Sequence, residues 1–480
     1  MRPALPAASD PGPLRVAAPP MVLVALVLLL VAPRYGPHWD ELYFGMLPPR
    51  WWYVDQPPLT VWFTWLLGRV SDHLWVQRLP GVAAAVAGAF VATLFPRALG
   101  APPSVQRLAG WAHAFTVYPL IMGHLFTTAT LDLLAWQVVV LLVLRACLGH
   151  PHALLWAGTV AGLACWNKLL VVVLAASLLV GLLLTRRPLL RTRDALLGSS
   201  VFVLLGAPQV LLQLVHGLPM AEVSGGLVDE QGDLVRLVLL PALALFAGPP
   251  LLRVWLSGFL TPWRRPDHPA RFLLPTFALV LLWTFANPSQ PYYPVGVLLP
   301  ALAVGWATPA VADRWSRTRS RTVVAANGVV ACLLCLPVLP PTETWVSAVS
   351  RLNPTIRDQV GWPGYAQQIS DLRRPGEAVV TDTYALAGAV HRYGSSADRA
   401  AVHSGHNALW DLGPPEGDEV LLVGEHAVAR RGDFGRCGAA TELDTGPVVH
   451  PRLEHVPVLH CADPVADWAT LWPRFRRLGG

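Results

Sequence analysis

Apolar runs dominate the first two thirds of the chain. From Met21 to about Leu339 they follow one another with short polar interruptions, each close to the roughly 20 residues a helix needs to cross a bilayer core. By hydropathy, spans are predicted at about 17–33, 79–96, 107–123, 131–148, 153–168, 169–185, 195–215, 236–256, 271–287, 291–310 and 323–340, about eleven helices in all. From Pro340 on, the pattern changes. "GEAVVTDTYALAGAVHRYG", Gly376 to Gly394, reads as a β-branched strand followed by a helix, and "DEVLLVG", Asp418 to Gly424, as another buried strand. The expected architecture is an α-helical polytopic membrane protein with a C-terminal extracytoplasmic α/β domain. It divides into a cytoplasmic tail at 1–16, a transmembrane domain at 17–340 with a first outer loop at 34–78, and a soluble domain at 341–480.

The short loops give the orientation. With the amino end inside, Arg97 and Arg107, then Arg186, Arg187, Arg191 and Arg193, then Arg264, Arg265 and Arg271, then Arg314, Arg317, Arg319 and Arg321 all fall on one side. That side is cytoplasmic by the positive-inside rule, and an odd number of spans puts the soluble domain outside. Arg2 and Arg15 before the first run also fit a signal peptide. No convincing small-residue cleavage site precedes Arg34, so the first segment is read as a retained span.

Composition agrees with a multi-pass protein of the plasma membrane. Charged residues make up 14% of the chain, against about 25% in soluble domains, and the mean hydropathy is +0.45. The net charge of +6 does not point to nucleic acid, because the basic residues form short clusters between apolar runs and not one face. Cys147, Cys165, Cys332 and Cys335 sit in spans as small packing residues. Cys437 and Cys461 both belong to the external domain, where a disulfide is chemically reasonable, though sequence does not say whether their Cα atoms approach. A composition rich in Ala, Leu, Arg and Pro accords with a GC-rich bacterial genome.

The unexplained polar residues gather on the outer face. The first outer loop holds Asp40, Glu41, Asp55 and Asp72 among Trp39, Tyr43, Phe44, Trp51, Trp52 and Tyr53. Aromatic density of this kind favours the headgroup level, so one or two short interfacial helices are expected, one of them opened by "DQPPLT". An acid such as Asp40, at the exit of a span and among tryptophans, is costly unless paired or used. In "MGHLFTTATLDLLAW", His124 leaves the third run and Asp132 enters the fourth; Asp132 also suits a helix start. Lys168 in "CWNKLLVVV" falls on the outer face by parity and suits a bound anion. Tyr292 and Tyr293 in "FANPSQPYYPVG" serve equally as interfacial anchors or as hydrogen-bond donors to a phosphate or sugar. His403, His406 and Asn407 in "HSGHN" suit a metal or sugar contact, but loop histidines of this kind are more often polar surface.

Together, the acidic pair after the first span, Asp-Gln-Pro-Pro-Leu, Thr-Thr-x-x-x-Asp-Leu-Leu, Asn-Lys and Pro-Tyr-Tyr resemble the GT-C membrane glycosyltransferases. The resemblance is strongest to the family 39 group of protein mannosyltransferases and aminoarabinose transferases. It runs from about Pro33 to Gly424 and includes "GWPGYAQQI" and "HSGHNALWDLGPPEGDEVLLVG". It implies a GT-C-like catalytic domain that takes a sugar from a polyprenyl-phosphate donor and gives it to an extracytoplasmic acceptor, with inversion. In that scheme Asp40 matches the general base, Glu41 is a secondary candidate, and Asp132 positions the acceptor or a cation. Lys168, Tyr292 and Tyr293 face the donor phosphate; Asp55, Gln56 and His124 are further binding candidates. The aminoarabinose transferases carry a lysine where this chain has Gln56, which shifts phosphate binding toward Lys168 or an arginine such as Arg78. A divalent cation on Asp55, Asp132 or His124 has no diagnostic ligand spacing, and the metal stays open.

A flippase or transporter of the carrier-linked lipid also has many spans and intramembrane charges. Against it, the unusual polar residues concentrate on one face, and no paired broken spans recur in two halves. A scaffold does not account for Asp40, Asp55, Asp132 and Lys168 on one side. The chain lacks a serine nucleophile elbow and a phosphate-binding glycine loop, and its Cys-x-x-Cys, Cys332 and Cys335, lies inside an apolar span with no second pair to complete a zinc site, which removes hydrolase, ATP-driven and zinc-site readings.

Overall fold

The computed structural model describes residues 11–444, 453 and 455–479, so most of the expected amino-terminal tail lies outside the described residues. The first helix, α1 (Pro13–Val31), begins on a proline, whose missing N–H is no loss in a first turn. The loop after it carries α2 (Trp39–Met46), α3 (Leu59–Val70) and the single turn α4 (Leu74–Gln77). As expected from "DQPPLT", α3 starts directly behind Pro57 and Pro58. Next come α5 (Leu79–Ala98), α6 (Pro103–Ala114), α7 (Val117–His124), α8 (Thr128–Cys147), α9 (Ala153–Ala164), α10 (Val171–Thr185) and α11 (Arg193–Val215). The helical part closes with α12 (Pro219–Ala247), α13 (Leu252–Trp263), α14 (Leu273–Ala286), α15 (Val295–Trp306), the single turn α16 (Pro309–Ala312) and α17 (Arg317–Cys335).

Helix occupies every segment where a span is expected, but the helices are less uniform than hydropathy suggests. Among the described residues, α1, α5, α8 and α11 are each long and apolar enough to cross a membrane. The segment 236–256 is not one straight span. Gly248, at φ +85°, ends α12 ahead of Pro249 and Pro250, and the chain bends by 83° into α13. Likewise 107–123 is split into α6 and α7 at Phe115 and Thr116. Helix α15 is buried on every side from Val295 to Trp306, which makes it the central post of the bundle. It packs close to α8 because a Cβ on Gly296 would lie 2.6 Å from the Trp136 ring.

The carboxy-terminal part adds α18 (Glu343–Ser350), then α19 (Trp362–Leu372) and α20 (Tyr384–Tyr393) against a six-stranded sheet. Its strands are β1 (Ala378–Thr381), β2 (Val402–Ser404), β3 (Glu419–Val423), β4 (Phe434–Cys437), β5 (Thr441–Asp444) and β6 (His455–Pro464), with β2-β1-β3-β6-β4 as neighbours and β5 also on β6. The first three pair in parallel, and β6 runs antiparallel to β3, β4 and β5. Cys437 and Cys461 stand opposite each other on β4 and β6 and form a disulfide.

This domain is not a separate body. Leu42, Tyr43, Phe44 and Tyr53 of the segment between α1 and α5 share one apolar core with Trp362, Ile369, Leu386 and Leu421. Helix α20 lies against α2 so closely that a Cβ on Gly388 would sit 2.7 Å from the Leu42 Cβ.

Candidate active site

The two neighbouring carboxylates of α2 have opposite surroundings. His38 caps the helix, its side chain accepting from the Asp40 amide while the Glu41 carboxylate accepts from the His38 amide at 2.8 Å. That closure turns Glu41 inward. Arg78 grips it through Nε at 3.0 Å and Nη2 at 2.7 Å, and the Phe126 amide adds a fourth donor at 3.1 Å. Burial alone would raise the Glu41 pKa; the Arg78 charge outweighs it and holds the carboxyl below its ordinary value. Arg78 is itself fully buried and spends its remaining N–H groups on the carbonyls of Ala32 and Gly36, on Gln359 and toward His124 Nε2. The expectation that an arginine such as Arg78 takes over phosphate binding therefore fails for Arg78, because its guanidinium is fully buried and each of its nitrogens already has a partner. His124 is buried in this same network, with Nε2 at 3.0 Å from Gln359 Oε1.

Asp40, one residue earlier, points the other way. Its side chain is 35% exposed, against 5% for Glu41, so of the two only Asp40 can meet a substrate. The Tyr384 hydroxyl donates to Asp40 Oδ1 at 3.2 Å from the carboxy-terminal domain. Tyr384 opens α20 just past the carboxyl end of β1, and its ring sits between those of Tyr43 and His406, at 4.7 and 4.6 Å. His406 is buried and accepts from the Tyr384 amide; burial pushes its pKa down to about 3, so it braces that ring as a neutral imidazole. Asn407 is buried too, bonded to Gly479. The "HSGHN" stretch is thus internal bracing and not polar surface. Nothing in the first loop's sequence signals Tyr384; the usable sign was its place after the end of a parallel strand, where α/β sheets commonly put function.

Asp55 lies next to this group. Tyr43 donates to its Oδ2 at 2.8 Å, while Oδ1 is sealed from water with no partner. Burial, reinforced by the Asp40 charge and opposed by the Tyr43 hydrogen bond, raises its pKa to about 7. The Gln56 side chain is buried with its Nε2 also unpartnered.

The second half of the site is built where the remaining motifs meet. Thr60 donates to Asn167 Oδ1 at 2.7 Å, Asn167 donates to the Thr128 carbonyl at 2.7 Å, and the Leu59 amide bonds Trp166 O. These bonds tie the starts of α3 and α8 to the turn after α9 and so place Lys168. Its Nζ donates to the Tyr292 hydroxyl at 3.3 Å and lies 5.1 and 5.2 Å from the rings of Tyr292 and Tyr293. Asp132, one turn into α8, accepts from Trp136 Nε1 at 3.0 Å and is within electrostatic reach of Lys168. Tyr292 in turn feels both Asp40 and Asp132. The Tyr292 hydroxyl is thus bonded to the lysine of the turn and lies within electrostatic reach of the exposed acid Asp40.

Among the described residues, no three His, Cys, Asp or Glu side chains gather in a way that could hold a metal ion. Asp55 pairs with Tyr43, Asp132 with Trp136 and His124 with the Arg78 network, so they do not make one ligand set for a divalent cation.

Residues 55–211 match the family described as dolichyl-phosphate-mannose-protein mannosyltransferase. Among solved structures the chain is similar to ArnT from Cupriavidus metallidurans, in the apo state and bound to undecaprenyl phosphate. Each superposition has a TM-score of 0.60 at 17% identity and covers 92% of this chain and 97% of that one. No curated protein matches by sequence.

Proposed function

We propose that this chain, which has the fold of the GT-C membrane glycosyltransferases, transfers a hexose or pentose from a polyprenyl phosphate to an acceptor outside the cytoplasm, with inversion. The reading places the amino end in the cytoplasm and the soluble domain outside it, following the arginine-bearing loops. The observation that carries it is a lysine cushioned by two tyrosines, with the exposed carboxylate of Asp40 within electrostatic reach of one of them. A structure of the same fold holds undecaprenyl phosphate, and a phosphate monoanion suits a cradle of one ammonium and two hydroxyls.

The chemistry asks little of the protein beyond placement. An acceptor hydroxyl oxygen attacks the anomeric carbon from the face opposite the phosphate; its proton passes to Asp40. The bond from the anomeric carbon to the phosphate oxygen breaks, and its electron pair leaves with the polyprenyl phosphate. Lys168 and the hydroxyls of Tyr292 and Tyr293 stabilise the charge that grows there. Asp132 orients Lys168 through its charge, and Glu41 keeps α2 in place without touching substrate. Tyr384 positions the Asp40 carboxylate, leaving its second oxygen to accept the proton.

The test uses wild type and Asp40→Asn in lipid nanodiscs with a panel of labelled polyprenyl-phosphate sugars, following release of polyprenyl phosphate and transfer to an envelope acceptor. Loss of about 10²- to 10⁴-fold in turnover is expected of the variant, the usual worth of a general base. A folded Asp40→Asn protein with undiminished turnover sinks the assignment.

A further inference from the structure

A second cavity lies far from the site described above. It is a groove of about 940 Å³ between α6 and α17, floored by α1 and the end of α15. Tyr292 precedes the first residue of α15, whereas the groove meets Trp306, the last one, so the two features lie toward opposite ends of the central helix.

Its lining is graded. On α17 the groove face reads Arg317, Arg321, Ala325, Gly328 and Cys332, a stripe at helical spacing that passes from two cations to small and apolar residues over about 22 Å at 1.5 Å per residue. The facing stripe on α6 is graded in the same sense, from Ser104 and Arg107 to Leu108, Trp111 and Phe115. Both helices start at the same end, so the three arginines share one mouth. Trp306 and Trp315, edge to face at 5.7 Å, mark that mouth as headgroup level. No carboxylate pairs with these arginines among the described residues. Arg107 uses only Nε, toward the Val16 carbonyl, and Asp313, in the turn just before α17, forms no ion pair.

We propose that this groove binds one anionic phospholipid, its phosphate among Arg107, Arg317 and Arg321 and an acyl chain along the apolar stripe. Any intramembrane groove is wetted by lipid, but this one joins a cavity deep enough for a chain to three exposed, uncompensated cations at the depth where a headgroup sits. A zwitterionic lipid meets the same apolar wall and gains little from the mouth. A soluble anion gains the mouth and leaves the wall empty. Only an anionic lipid answers both ends. The site is separate from the proposed sugar transfer and does not rest on it.

The experiment takes the full chain through nanodiscs of equal phosphatidylglycerol and phosphatidylcholine, returns it to mild detergent, and counts retained lipids per chain by native mass spectrometry. Wild type is expected to keep one phosphatidylglycerol. R107Q/R317Q/R321Q loses it by on the order of a hundredfold in apparent affinity, at about fivefold per arginine. Ala325→Trp, which fills the groove and leaves the mouth intact, loses it as well. All three substituted arginines are exposed, and an unchanged melting midpoint shows that the variants fold. Equal retention of phosphatidylcholine, retention by the triple variant, or one-for-one displacement by undecaprenyl phosphate each overturns the proposal, the last by giving the groove to the carrier. No readout depends on turnover, so failure here and failure of the transferase reading are told apart.

Discussion

Glu41→Gln separates the two acids of α2 most sharply. The substitution keeps shape and removes one charge. Glu41 receives four donors, two from Arg78 and two backbone amides, and its side chain is 5% exposed. A glutamine offers one oxygen and turns an N–H₂ group toward donors that need an acceptor. The Arg78 guanidinium, fully buried, then keeps its charge with no counter-ion. Breaking one side of a buried pair in this way costs about 3–5 kcal/mol, a large part of the 5–15 kcal/mol that stabilises a typical protein. Unfolding is followed with a thiol-reactive dye, since Cys165 and Cys335 are free and buried. The melting midpoint is expected to fall by several degrees, while any protein still folded at low temperature turns over at close to the wild-type rate. Asp40→Asn should do the reverse. The reasoning is refuted if Glu41→Gln melts like wild type and yet loses turnover, since Glu41 would then be acting on substrate. The pH dependence gives a second check. The Glu41 pKa is held down in the folded state, so its contribution is complete above the ordinary glutamate value near 4.3 and fades as pH falls through the folded value. In Glu41→Gln that acid-side loss disappears.

Asp55 has the opposite sign. Its folded pKa of about 7 lies above the ordinary 3.8, so its contribution is present below about 4 and lost as pH rises toward 7; Asp55→Asn should be relatively more stable at pH 8, and an unchanged melting profile between pH 5 and 8 refutes this. Tyr384→Phe removes one hydrogen bond to Asp40 worth about 0.5–1.5 kcal/mol. Turnover should fall by roughly 2- to 12-fold with little change in the apparent donor KM, and a KM effect alone would place Tyr384 on the donor side. Reduction of the Cys437–Cys461 bridge, or Cys461→Ser, should cost the soluble domain about 3–4 kcal/mol, from the chain of 24 residues that it closes; a melting curve indifferent to reductant counts against that.

Much of this architecture can be read from residue order alone. The positions of the apolar helices follow from hydropathy, and helix α3 from the two prolines that start it. Thr60, Thr128 and Asn167 were parts of quoted motifs, and the structure ties them together around Lys168. What escaped is what depends on a distant partner. Asp40 and Glu41 are equivalent in sequence; Arg78, 37 residues past Glu41, makes them different. The same arginine looked free for a phosphate because nothing local reveals that two carbonyls, Gln359 and His124 already surround it. Tyr384 is 344 residues from Asp40, beyond the range of any pattern. The bend at Gly248 was hidden for another reason: hydropathy is continuous across it, and only the glycine and two prolines betray it.

The shared core of the loop between α1 and α5 and the carboxy-terminal domain bears on how the protein is made. Tyr43 is bonded by the Ala408 amide, 365 positions later, and the Asp40 contact spans nearly as far. At the usual pace of synthesis, 5–20 residues per second, α2 waits roughly 20–70 s for the segments that hold it. Throughout that interval the growing chain has its apolar helices but not the assembled loop between α1 and α5. A chain that stalls before β2 therefore lacks the contacts that fix Tyr43 and α2, so the topology itself delays assembly of the candidate site until the carboxy-terminal domain has been made and has docked.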